Sequence, residues 1–205
     1  MEPSNGIKVI VFDLEGVIFE TWHTFMHFIP DMKTLDQSKL EEITEGEEMR
    51  AFFLGKIKEK QFIDDIIRIS GITAPVEEIE SAIRLAIAEK QGMRGIITQL
   101  KGAYRLALLT NFPKEWFDYL DARYGMRRLF DVIFVSGSTG IRKPDVEAYR
   151  QVTNFFKVLP SECLFIDDKK RNTDGARAFG MPCVLFTDVA TLTKEFKTEW
   201  GICLR

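Results

Sequence analysis

The 205-residue sequence is poor in the side chains that most often hold transition metals, with two histidines and three cysteines. Cys163, Cys183 and Cys203 stand singly among apolar residues, widely and evenly separated. That is no zinc spacing, and it points to buried, reduced thiols. Long apolar runs are lacking, so no segment is expected to span a bilayer. An excess of positive charge is lacking too. The formal net charge of -3 removes the electrostatic case for a nucleic-acid partner. Residues 1–5 lead straight into an apolar run without a signal-peptide pattern, which makes a cytoplasmic location the default expectation. Repeats and low-complexity tracts are absent.

What is present is an apolar fraction of 45%, enough for one domain or one domain carrying an insertion. The chain is organised around one short stretch. Lys8, Val9, Ile10, Val11 and Phe12 give way abruptly to Asp13, Leu14, Glu15 and Gly16. The apolar run suits a strand buried on both faces of a parallel sheet. The acids then fall at its carboxyl edge, where open α/β sheets bind ligands. Residues 19–91 show helical periodicity and no convincing strand, with helices expected over 21–29, 36–44, 47–54, 59–70 and 76–90. From Gly92 the elements alternate. Helices are expected over 93–101, 113–124, 144–156, 172–179 and 189–196, and strands over 104–109, 132–135, 163–166 and 182–186. This order predicts an α/β fold, a doubly wound parallel sheet built from residues 1–18 and 92–205, with residues 19–91 inserted as an all-helical cap.

Four βα units carry polar groups at the strand end or in the loop that follows. These are Asp13 and Glu15, Thr110 and Asn111, Lys143, and Asp167 and Asp168. A doubly wound sheet makes those ends neighbours. Four carboxylates facing one lysine would repel one another without a divalent cation. Oxygen donors with no clustered His or Cys point to Mg2+ rather than Zn2+. Such an ion and Lys143 could together neutralise a transferring phosphoryl group. An aspartate nucleophile would split hydrolysis into two displacements, and a second carboxylate could act as acid and then base.

These residues resemble the four motifs of the haloacid dehalogenase superfamily: Phe12 to Val17, Leu108 to Asn111, Arg142 to Asp145, and Phe165 to Asp168. The helical block resembles that family's small cap. Phe53, Leu54, Gly55, Lys56, Ile57 and Phe62 are similar to a cap pattern of its branch of sugar-phosphate phosphatases and epoxide-hydrolase N-domains. The resemblance implies a phosphatase for a small phosphorylated metabolite. Asp13 is then the nucleophile and Glu15 the general acid/base, whose backbone carbonyl also binds metal. Thr110 and Asn111 meet the phosphoryl group, and Lys143 steadies nucleophile and phosphate. Asp168 becomes the metal acid and Asp167 a second metal-side group, with Asn172 standing where the family often has a further acid. The departure is Glu15, since family phosphatases usually have Asp there. If its extra methylene misplaces the proton, Glu15→Asp raises kcat. That departure keeps open a catalytically weak binding or regulatory protein. A different hydrolase of the superfamily, such as a 2-haloacid dehalogenase, is the other alternative, although dehalogenases of the family typically lack a carboxylate at this position, which argues against carbon–halogen cleavage.

Outside these motifs, His23 and His27 are spaced i, i+4 on an expected helix, a geometry that can bind metal or touch substrate. Trp22, Phe25, Phe28, Phe52 and Phe53 are expected mostly in the cap core, with a part in lining a pocket. Lys169, Lys170 and Arg171 read as a solvated helix start that could also attract an anion.

Overall fold

The computed structural model describes residues 6–204, so the expectation for residues 1–5 lies outside the described residues. Five strands form one sheet: β1 (Val9–Phe12), β2 (Arg105–Thr110), β3 (Val132–Val135), β4 (Cys163–Asp167) and β5 (Cys183–Leu185). All neighbours pair in parallel in the order β3-β2-β1-β4-β5. The two-residue period of a strand divides the core between the two faces. Ile10, Phe12, Leu106, Leu108, Leu164 and Ile166 join one cluster, whereas Val9, Val11, Ala107, Leu109, Cys163 and Phe165 join the other.

Between β1 and β2 the chain forms two 3-10 segments, Trp22–Phe28 and Pro30–Thr34, and four helices: α1 (Gln37–Glu45), α2 (Glu47–Phe53), α3 (Glu59–Ser70) and α4 (Val76–Ala86). After them come α5 (Met93–Leu100), α6 (Lys114–Tyr124), the single turn α7 (Ser136–Thr139), α8 (Val146–Phe156), α9 (Lys170–Ala178) and α10 (Val189–Thr198). Residues of α5, α6 and α10 cover the first sheet face, and residues of α8 and α9 the second.

The expected α-helix over residues 21–29 is a 3-10 segment instead. Thr21 supplies no side-chain cap. Three residues per turn bring i and i+3 into register. Trp22 and Phe25 accordingly stack with ring centroids 5.5 Å apart. Phe28 does not join them and is 52% exposed. The helix expected over 76–90 stops at Ala86, because the returning chain pairs with the outgoing one. The Glu20 N–H donates to the Ala88 carbonyl at 2.8 Å, and the Lys90 N–H to the Ile18 carbonyl at 2.8 Å. These bonds close the insertion at its base.

The helical block is seated firmly on the sheet domain. Trp116 of α6 packs among Trp22, Phe52, Phe53 and Phe62, and its Nε1 donates to Glu59 at 2.7 Å. The buried Ser136 hydroxyl donates to the Phe53 carbonyl at 2.6 Å and accepts the Phe112 N–H at 2.9 Å. Gly55 is required beneath this contact: its φ is +70°, and a Cβ would lie 2.2 Å from the Gly137 carbonyl oxygen.

The cysteines are free, but they are not all buried: Cys163 is, Cys183 is half-buried and Cys203 is exposed. Burial pushes the Cys163 thiol up to about 12. With a disulfide reagent at about pH 8, where only thiolates react, Cys203 is expected to be modified first and Cys163 only on unfolding. Titrating thiols with and without denaturant checks this.

Candidate active site

The centre of the site is Lys143, whose side chain is completely buried. Its Nζ lies 2.8 Å from Asp13 Oδ2 and 2.6 Å from Asp167 Oδ2. Sheet register places both acids. Asp13 follows β1 and its N–H donates to the Ile166 carbonyl at 2.9 Å, while Asp167 ends the neighbouring β4. The lysine comes from the loop after α7, and Asn111 fixes that loop. The Lys143 N–H donates to Asn111 Oδ1 at 2.8 Å, and Asn111 Nδ2 donates to the Lys143 carbonyl at 2.9 Å.

Burial pulls the Lys143 ammonium down, but Asp13 and Asp167 outweigh it and hold it above the usual lysine value. The two acids move in opposite directions. Burial raises Asp13 well above its usual value, against Lys143 and with help from Asp167. Asp167 is also penalised by burial, yet Lys143 and the Lys169 N–H, at 2.8 Å, bring it below its usual value. Asn172 Nδ2 donates to both Asp167 oxygens at 3.0 Å. Asp167 is therefore held ionised, and the neighbouring Asp13 bears the repulsion of the pair.

Asp168 and Glu15 complete the acidic group. Burial raises Asp168, Lys169 opposes it, and Asp167 adds to it. Burial likewise raises Glu15, against Lys169 and the Trp22 N–H. That N–H donates to Glu15 Oε1 at 3.0 Å. The carboxyl is thus tied to the first turn of the inserted block. Gly16 lets Asp168 approach closely, since a Cβ there would fall 2.3 Å from Asp168 Oδ2.

The residues present fit a hard divalent cation. Asp13, Asp167 and Asp168 can each offer one oxygen, all within 4.8 Å of one another, and no other such group occurs among the described residues. Three buried polar atoms here lack a hydrogen-bond partner among the described residues: Thr110 Oγ1, Asp168 Oδ1 and Asn172 Oδ1. Unpaired buried oxygens are costly and uncommon, so they mark places for a bound partner.

The structure brings together Asp13, Glu15, Thr110, Asn111, Lys143, Asp167 and Asp168 at one sheet edge. Both ends of the Asn111 amide engage the Lys143 backbone, so its observed contact is a positioning one. His23 lines the cleft and His27 does not, and neither belongs to a metal-binding group among the described residues. In a 3-10 segment i and i+4 do not share a face. Trp22 and Phe53 line the cleft, while Phe25 and Phe52 are packed inside. The sequence pattern missed Arg50 and Arg142 in the cleft wall, and it missed the bond from Asn172 to Asp167. The only sequence signal for Arg142 is its place beside Lys143.

The fold and site together define a parallel α/β protein with an acid–lysine–acid centre at the carboxyl edge of its sheet. The family described as haloacid dehalogenase-like hydrolase matches residues 7–180, and the chain belongs to it. It is a hydrolase. The chain is 31% identical over 200 residues to sesquiterpene phosphatase AstK of Aspergillus oryzae, covering 95% of this chain and 97% of that protein. It is 24% identical to flavin mononucleotide hydrolase 1 of Arabidopsis thaliana, covering 96% and 78%. Its fold is similar to that of a haloacid dehalogenase family enzyme from Bacteroides thetaiotaomicron, solved with magnesium and inorganic phosphate. The TM-score is 0.74 at 20% identity, covering 91% of this chain and 98% of the other. Among the described residues no helix is long and apolar enough to cross a membrane.

Proposed function

We propose that the chain is a Mg2+-dependent phosphomonoesterase that hydrolyses a small phosphorylated metabolite through an aspartyl phosphate on Asp13. The observation that carries this reading is the buried Lys143 ammonium between Asp13 and Asp167, with the unpartnered Asp168 Oδ1 beside them. Asp13, Asp168 and Asp167 would hold Mg2+, with the Glu15 carbonyl as a further donor. When bound, the ion supplies positive charge to the phosphoryl oxygens and offsets the acids.

Asp13 Oδ attacks phosphorus in line with the leaving oxygen. Thr110 Oγ1, which lacks any other partner, donates to one phosphoryl oxygen. Lys143 holds the nucleophile and the charge that develops. The raised Glu15 carboxyl gives its proton to the leaving alkoxide, and the alcohol departs. Glu15, now ionised, takes a proton from water, whose oxygen attacks the aspartyl phosphate. Phosphate leaves, and Asp13 and the Glu15 acid are restored. Residues 19–91 act as a lid over a cleft of about 830 Å³, which excludes water and fits the substrate body. Trp22, Met26, Leu40, Met49 and Phe53 give that cleft an apolar side. This suits a hydrocarbon-bearing ester, in keeping with the relative named a sesquiterpene phosphatase.

The test is a panel of sugar phosphates, nucleotides, an isoprenoid monophosphate and p-nitrophenyl phosphate, assayed with Mg2+ and with EDTA. Turnover that EDTA abolishes is expected on at least one ester. Absence of any turnover above that of Asp13→Asn overturns the proposal and favours a binding protein. Release of halide from 2-chloropropionate without metal would instead identify a dehalogenase.

Glu15→Gln is expected to lower kcat by about 100-fold or more, the usual worth of a positioned proton donor. Glu15→Asp is expected to lower kcat as well, because the shorter side chain withdraws from the Trp22 N–H. A rise in kcat for Glu15→Asp would mean that the longer acid is misplaced.

A further inference from the structure

Three arginines line the cleft from separate elements: the exposed Arg50 from α2 in the inserted block, Arg142 from the loop before Lys143, and the exposed Arg171 from the first turn of α9. Among the described residues none of them makes an ion pair. They are close enough to feel one another. Burial lowers the Arg142 guanidinium, and Arg171 and Arg50 lower it further, with only Asp145 acting against them. Arg142 is half-buried, so its charge is incompletely solvated. Arg171 also stands where the helix dipole disfavours a cation. Fold stability therefore does not account for the group. Neighbouring surface cations do pair, as Lys170 does with Asp174 at 2.6 Å. The cleft is not uniformly basic, since Glu41 and Glu45 of α1 also line it. Lys169 lines the cleft as well and makes no ion pair among the described residues, but it lies against Glu15 and Asp168, which leaves the three arginines as the cations apart from the acidic group.

One phosphoryl group already has its partners in Lys143, Thr110 and the acidic group, so the arginines are surplus to it. We infer that Arg50, Arg142 and Arg171 form a second phosphate subsite, and that the substrate carries a second phosphoryl group beyond the one attacked. Planar guanidinium forks match phosphate oxygens in bidentate pairs, which a lysine cannot reproduce. Because Arg50 belongs to the lid and the other two to the sheet domain, a second phosphate bridges the two bodies and favours closure over a doubly charged substrate. The inference rests on the phosphatase reading for its substrate class. Two chemistries supply such a group: a bisphosphate with separated phosphates, cleaved as the monoester above, and an organic diphosphate, in which the P–O–P bond breaks at the terminal phosphorus and the organic monophosphate leaves with the Glu15 proton.

The first test needs no turnover. Isothermal titration of the wild-type protein in Mg2+ compares inorganic pyrophosphate with inorganic phosphate. Pyrophosphate is expected to bind about 10-fold tighter or more. Arg50→Met, Arg142→Met and Arg171→Met are each expected to remove most of that difference, with Arg→Lys restoring it only in part. Circular dichroism shows whether each variant folds. Equal affinity for the two anions, or a preference untouched by any of the three substitutions, overturns the subsite whatever the enzyme assay gives. The second test is kinetic. It compares kcat/KM for geranyl diphosphate with geranyl monophosphate, and for glucose 1,6-bisphosphate with glucose 6-phosphate. A preference of about 10-fold or more within one pair supports the subsite and identifies its source. Hydrolysis of the monoesters without preference in either pair refutes the subsite and leaves the phosphatase proposal standing.

Discussion

Lys143→Met is expected to be the most damaging single substitution in the chain, removing activity and lowering the melting temperature by about 10 °C. The lysine side chain is fully buried and lies within 2.8 Å of two carboxylates. Removing it leaves both buried acids without that cation. Breaking a buried pair in this way costs about 3–5 kcal/mol. For a chain of this length each kcal/mol shifts the transition by about 2–4 °C. The pH dependence carries the sign of the effect. In the wild type Asp167 is held below its usual value, so it contributes stability above the unfolded carboxylate pKa and loses it as pH falls. In the variant burial acts on Asp167 without the lysine, the shift reverses, and acid relieves the strain. The gap between the two proteins is therefore expected to narrow as pH drops toward the carboxylate range. The double variant Lys143→Met, Asp167→Asn is expected to recover part of the loss. Thermal melts across pH check all three statements, and an unchanged melting temperature for Lys143→Met would show that the cluster contributes no net stability.

Asp13→Asn is expected to abolish hydrolysis, by at least about 10³-fold, without lowering the stability of the metal-free protein. An amide cannot form the acyl phosphate. It can still accept the Leu14 N–H, which now donates to Asp13 Oδ1 at 2.7 Å. The substitution removes a carboxyl that burial already pushes well above its usual value, and it leaves Lys143 paired with Asp167 alone. Without metal the variant should melt at or above the wild-type temperature. With Mg2+ the order should reverse, because a ligand stabilises the native state in proportion to its affinity and the variant has lost a donor. Melting both proteins with Mg2+ and with EDTA separates the two effects. A variant that unfolds at lower temperature in EDTA would mean that Asp13 is structural, and retained hydrolysis would assign the nucleophile elsewhere.

The alternating elements after Gly92 and the apolar run before Asp13 made the parallel sheet legible, because a strand buried on both faces leaves a continuous apolar signature. The helical block was legible as a block. Two of its details were not. The segment from Trp22 took three residues per turn to stack Trp22 on Phe25, and α4 ended early because residues 88–90 pair with residues 18–20. Both depend on a partner distant in sequence, which local periodicity does not report.

The candidate site divides along the same line. By itself the sequence determined which residues stand at the strand ends, since that follows from where each apolar run stops. It determined the excess of acids over the single lysine, and hence the expectation of a divalent cation. Only the tertiary structure decided that Lys143 joins Asp13 to Asp167, that Asp168 is left with a free oxygen, and that Arg50 of the inserted block lines the same cleft as Arg142 and Arg171. Strand register and the seating of the inserted helical block fix those positions, and pairings between residues so far apart along the chain exist only once the sheet has formed.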